Sequence, residues 1–102
     1  MDTQEIIRKQ VTENPVVLYM KGTPEAPMCG FSAAAVQILE ACGADSVATV
    51  NVLENEEIRQ GIKTFSNWPT IPQLYVNGEF VGGADIVREM YQSGELQKLL
   101  GK

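Results

Sequence analysis

Two apolar runs, residues 16–20 and 47–52, are separated by a strongly helical stretch, whereas the next two, 73–76 and 79–81, are separated only by Asn77-Gly78. A parallel strand pair needs a long crossover, usually a helix, while Asn-Gly is a favoured two-residue turn of an antiparallel hairpin. The first pair is therefore expected to be parallel and the second antiparallel, which requires one mixed sheet. Helical periodicity fills the intervals. Ile6, Ile7 and Val11 recur at helical spacing after Thr3, a residue able to cap, and Asn14-Pro15 ends that segment. Residues 31–42 form a second helix stopped by Gly43. Residues 56–65 form a third, capped by Asn55, with Glu56 and Glu57 where the helix dipole favours acids. Helices over 85–92 and around 96–100 follow Gly82-Gly83. The order αβαβαββαα predicts an α/β fold, a four-stranded mixed sheet flanked by helices. No repeat, low-complexity tract or linker interrupts it, so residues 1–102 are expected to form one domain.

Chemistry concentrates where the first strand meets the second helix. A loop from Lys21 to Met28, carrying Gly22, Pro24 and Pro27, delivers the chain to Cys29-Gly30-Phe31-Ser32. A thiol at a helix N-terminus faces unpaired N–H groups and the positive end of the dipole, so its pKa falls below the free value of ~8.5. Three residues on, a second thiol would share the helical face and could resolve a mixed disulfide. That position holds Ser32, whose hydroxyl forms no S–S bond. The other cysteine, Cys42, lies at the far end of the same predicted helix, about 20 Å away at ~1.5 Å of rise per residue. That is beyond the ~7 Å between Cα atoms that a disulfide can span. Within the apolar stretch Ile38-Leu39-Glu40-Ala41-Cys42 it reads as a small buried hydrophobe. Cys29, among small neighbours and just downstream of Lys21, reads as exposed, electropositive and reactive.

Composition excludes several other roles. Two cysteines that cannot pair do not make a disulfide scaffold. The start Met1-Asp2-Thr3-Gln4-Glu5 lacks the basic and apolar regions of a signal peptide, so a reducing cytoplasm is the expected compartment. No apolar run approaches the ~18 residues needed to cross a bilayer. A net charge of −5 with eight Lys and Arg supplies no drive toward polyanions. Neither membrane nor nucleic acid is an expected partner; small molecules and proteins are. The chain has no histidine, which removes Ser-His and Cys-His hydrolytic machinery.

A reactive cysteine at the first β-to-α junction of such a sheet resembles the thioredoxin fold. Three motifs narrow the likeness: Lys21-Gly22-Thr23-Pro24-Glu25-Ala26-Pro27-Met28-Cys29-Gly30-Phe31-Ser32, then Trp68-Pro69-Thr70-Ile71-Pro72, then Gly82-Gly83-Ala84-Asp85. In this order they resemble the signature series of monothiol, CGFS-type glutaredoxins in their bacterial-like single-domain form, and the match spans essentially the whole chain. The resemblance implies a glutathione site made of Lys21, Cys29, Phe31, Arg59, Thr70, Ile71, Pro72, Gly83, Ala84 and Asp85. In it Lys21 and Arg59 would meet glutathione carboxylates, Arg59 in a fork, although the residues alone read equally well as solvated charges. A cis bond before Pro72 is implied, presenting the Ile71 backbone to the glutathione peptide as a strand-like partner, where an ordinary X-Pro bond would be trans. Gly82-Gly83 permits close backbone approach, and Asp85 either receives the glutathione ammonium or caps a helix. Phe31 would shield the cysteine, while Trp68 and Pro69 wall the groove or simply fill it. Many such relatives carry a second cysteine where this chain has Ala84, so chemistry that needs it is lost.

The resemblance implies two uses for one thiol. The first is binding a [2Fe-2S] cluster and delivering it to acceptor apoproteins in iron–sulfur cluster biogenesis. Four ligands are needed, so Cys29 from each partner of a cluster-bridged homodimer would be joined by two glutathione thiolates. Heterodimers with BolA-like proteins are also implied. The second is glutathione-dependent thiol–disulfide oxidoreduction that removes glutathione from protein mixed disulfides, an activity such relatives perform weakly. A regulatory module whose cluster state selects its partner is a third, non-redox reading.

Overall fold

The computed structural model describes residues 2–102. Its elements are α1 (Thr3–Glu13), β1 (Val16–Met20), α2 (Gly30–Ala41), β2 (Ala48–Asn51), a 3₁₀ turn (Val52–Glu54), α3 (Glu56–Ser66), β3 (Gln73–Val76), β4 (Glu79–Gly82), α4 (Ala84–Ser93) and α5 (Glu95–Leu99). The strands lie in the order β2-β1-β3-β4; β1 runs parallel to β2 and antiparallel to β3, and β3 and β4 form the hairpin. Asn77 and Gly78 adopt φ of 52° and 83°, the left-handed pair that a tight hairpin turn of this hand requires. The mixed sheet read from the sequence is the one observed.

Strand β1 is buried along its whole length because both of its faces are covered. Val16, Leu18 and Met20 join a core with residues of α2, α4 and α5, while Val17 and Tyr19 join a second core with α1 and α3. The period-two alternation of strand side chains thus divides five apolar residues between two layers of helices. On the second face, α3 approaches α1 closely at Gly61. A Cβ there would stand 2.5 Å from Thr3 Cγ2, and Gln4 Nε2 donates to the Gly61 carbonyl at 2.9 Å. No helix among the described residues is long and apolar enough to cross a membrane.

Most element ends shift by a single residue from the expectation, and two of the differences have a visible cause. The cap of α1 is Asp2, not Thr3: Asp2 Oδ1 accepts the Glu5 N–H at 2.9 Å, a stronger acceptor at the right distance from the first turn. Strand β2 is shorter than residues 47–52. Asn51 Oδ1 accepts the Leu53 N–H at 3.0 Å and turns the chain into the 3₁₀ segment, although Val52 stays buried as a strand residue would.

Candidate functional site

The chain leaves β1 through a loop that closes on itself. Met28 N–H donates to the Lys21 carbonyl at 2.9 Å, Thr23 and Ala26 exchange main-chain bonds, and Gly22 N–H donates to Asn51 Oδ1 at 2.9 Å. Cys29 emerges in an extended conformation as the N-cap of α2, its Sγ accepting the Ser32 N–H at 3.4 Å where an oxygen would ordinarily sit. Ser32 is fully buried. Its Oγ accepts the Lys21 N–H at 3.0 Å and the Cys29 thiol at 3.5 Å; once the thiol ionises, the hydroxyl proton is free to turn toward the sulfur. Burial pushes the Cys29 thiol up, but hydrogen bonds from the Ser32 hydroxyl, the Ser32 N–H and the Phe31 N–H, together with the Lys21 charge, outweigh it and hold the thiol below its ordinary value. Cys42 is unlike it: buried in the apolar core at the other end of α2, its thiol is pushed up. Both cysteines are free.

Beside the thiol opens a cavity of about 410 Å³. Lys21 and Phe31 form one side, Arg59 and Lys63 of α3 another, residues 68–72 a third, and residues 83–86 at the start of α4 the last. Every site residue expected from the sequence lines this cavity except Cys29. The thiol stands at the helix terminus two residues before Phe31, hydrogen-bonded to the serine that anchors Lys21. Trp68 and Pro69 are walls rather than filling. Lys63 and Ile86 are additional. The signal for Lys63 was its place four residues after Arg59, hence on the same helical face. Asp85 does not cap α4. Gly83 holds that position without a side-chain bond, and Asp85 lies exposed in the first turn, its carboxylate favoured there by the dipole. The Ile71-Pro72 bond is cis, as the motif implied.

The groove carries more positive than negative side chains, Lys21, Arg59 and Lys63 against Asp85. Salt bridges among the described residues join Lys9 to Glu13 and Lys102 to Asp45, so Lys21, Arg59 and Lys63 have no carboxylate partner. Arg59 Nε is buried without any hydrogen-bond partner, a state that is costly until an acceptor arrives. No group of three or more His, Cys, Asp or Glu side chains among the described residues could hold a metal ion. The arrangement offers one activated thiol, three cations, an apolar wall and one exposed acid.

Fold and site together define a thioredoxin-fold protein with a single helix-capping thiol at the end of a cationic groove. Residues 16–81 match the glutaredoxin family. The chain is 58% identical to glutaredoxin 4 of Escherichia coli over 98 residues, covering 96% of this chain and 84% of that protein. It is 59% identical over 100 residues to the mitochondrial monothiol glutaredoxin-5 of Schizosaccharomyces pombe, covering 96% of this chain and 68% of that protein. Among solved structures, the reduced apo form of a poplar glutaredoxin superposes with a TM-score of 0.83 at 53% identity, covering 96% of this chain and 89% of that one. A buckwheat glutaredoxin–glutathione complex, at 22% identity and a TM-score of 0.85 over 97% of this chain and 87% of that one, shares the fold. The chain belongs to the glutaredoxin family, in its monothiol form.

Proposed function

We propose that the groove binds glutathione and that the protein carries a [2Fe-2S] cluster between two copies, each contributing Cys29 and one bound glutathione thiolate, for delivery to acceptor apoproteins in iron–sulfur cluster biogenesis. Lys21, Arg59 and Lys63 receive the glutathione carboxylates, the unpaired Ile71 main chain meets the peptide, and Asp85 takes the ammonium group. The observation that carries this reading is the isolation of the Cys29 sulfur. The position of a resolving thiol is filled by a buried Ser32 whose hydroxyl is committed to Lys21, and Cys42 is sequestered in the core. A site that cannot expel a bound thiol through its own chain suits lasting coordination better than rapid exchange. Met28 and Phe31, 67% and 62% exposed, flank the thiol with apolar surface that a second copy or a BolA-like partner covers. A reducing cytoplasm suits a half-exposed thiolate.

Glutathione-dependent thiol–disulfide exchange is the second reading, favoured by the depressed pKa of Cys29 and limited by the missing second sulfur. Anaerobic reconstitution with iron, sulfide and glutathione decides between them. A coloured dimer that needs glutathione and Cys29, and that passes its cluster to an apoferredoxin, is the expected result. A colourless monomer that rapidly turns over glutathione mixed disulfides would sink the carrier role.

A further inference from the structure

The thiol and the cationic wall leave one polar side chain in this region without a role. Gln73, the first residue of β3, is fully buried, and apart from Ser32 no other polar residue among those described is so. A buried carboxamide is costly unless its donors and acceptor are met. Here they are: Nε2 donates to the carbonyls of Trp68 and Thr70, each at 3.1 Å, and Oε1 accepts the Tyr75 hydroxyl at 3.2 Å.

The two carbonyls belong to the irregular segment joining α3 to β3. Pro69 and Pro72 have no N–H to offer there, so the segment cannot pair as a regular strand. The Gln73 amide does for these carbonyls what a neighbouring strand would do. The same segment, from Trp68 to Pro72, is a wall of the groove. Ile71, next to the Thr70 carbonyl, packs its side chain into the core shared with α1 and α3, yet its own N–H and carbonyl have no partner among the described residues. The peptide unit available to a ligand is thus held from behind by an apolar side chain and from one side by Gln73.

We propose that Gln73 is a positioning residue. By tying the Trp68 and Thr70 carbonyls to the core, it keeps the Ile71 main chain set for pairing with the peptide backbone of a ligand. This role rests on the reading of the groove as a glutathione site, and it predicts that removing the amide loosens binding more than it loosens the fold. Tyr75 acts one step further back, orienting the carboxamide through its hydroxyl.

The test uses S-methylglutathione, which cannot react with Cys29, titrated into the isotopically labelled full chain by NMR and into unlabelled protein by calorimetry. With the wild-type protein the Ile71 amide resonance is expected to shift on binding. Gln73→Met keeps the length of the side chain and loses its bonds; at a temperature where it is fully folded, affinity is expected to fall by about tenfold, with the Ile71 response lost. Tyr75→Phe, which removes only the orienting hydroxyl, gives a smaller loss in the same direction and serves if Gln73→Met does not fold. Val11→Ala, a core truncation on α1, lowers the melting temperature but keeps wild-type affinity. A folded Gln73→Met, or Tyr75→Phe in its place, that binds as the wild type does overturns the positioning role alone. Equal loss of affinity in Val11→Ala also overturns it. No response from the wild-type protein overturns the glutathione reading and this role with it.

Discussion

Gly61→Ala sets two effects of known size against each other. In the interior of a helix alanine is favoured over glycine by about 1 kcal/mol, so on propensity alone the change stabilises α3. The structure reverses the sign. The new methyl would lie 2.5 Å from Thr3 Cγ2, 3.2 Å from Ile7 Cδ1 and 3.4 Å from Gln4 Nε2. Thr3 can yield by rotating at the start of α1, but Ile7 is fully buried in a close-packed layer. Overpacking of this kind costs about 1–3 kcal/mol. Subtracting the propensity gain leaves a net loss of about 1 kcal/mol, or a fall of about 4–8 °C in melting temperature for a chain of this size. Circular dichroism melts of Gly61→Ala, Thr3→Ser and the double variant provide the assay. Thr3→Ser deletes the nearest methyl, so the double variant should recover part of the loss and show a positive coupling. Arg59 and Lys63 flank Gly61 on the same helix, and glutathione affinity should fall with the displacement of α3. A single variant that melts at or above the wild-type temperature would refute the claim that helix contact, rather than propensity, decides this position.

Ser32→Ala should move the pH profile of Cys29 alkylation to higher pH, because the thiolate loses a hydrogen bond, and should destabilise the fold by about 1–3 kcal/mol by leaving the Lys21 N–H unpaired; an unmoved profile would show that the hydroxyl does not support the thiolate. Burial pushes the Tyr75 hydroxyl up to about 12 and raises that of Tyr19 as well. Unfolded tyrosine titrates near ~10. Stability from keeping these phenols neutral is therefore complete below that value and is lost progressively as pH rises from there toward the folded-state value of about 12, which denaturant titrations at stepped alkaline pH would detect as a steady decline; a flat profile would contradict it. Cys42→Ser should lower the melting temperature by placing a hydroxyl in the core, while leaving the alkylation rate of Cys29 unchanged.

The features legible in the sequence were those with local causes. Asn77-Gly78 determines its own turn, Gly43 stops α2, and a cysteine before a helical run becomes its cap. The motifs likewise contain three of the four stretches of chain that wall the groove, the fourth being α3. Less legible was whatever depends on packing between distant elements. Lys63 reaches the groove only because α3 rests on α1 in one rotation, and Gln73, legible as the first residue of a strand, gives no sign of its burial until a core closes over it. Ser32 was legible only as a missing sulfur. Its hydroxyl proves to bond the Lys21 main chain and face the thiol, a task a cysteine side chain would perform poorly.

The loop ahead of Cys29 is closed at its base, by Met28 on Lys21 and by Gly22 on Asn51, and again by the paired main chains of Thr23 and Ala26, so that only Pro24 and Glu25 at the tip stand outside these bonds. Closure entropy rises slowly with length, and exposed tips tolerate insertion. An engineer could therefore lengthen the chain between Pro24 and Glu25, or graft a fluorophore or an affinity peptide there, and obtain a reporter mounted beside the thiol whose attachment leaves the register of the sulfur untouched.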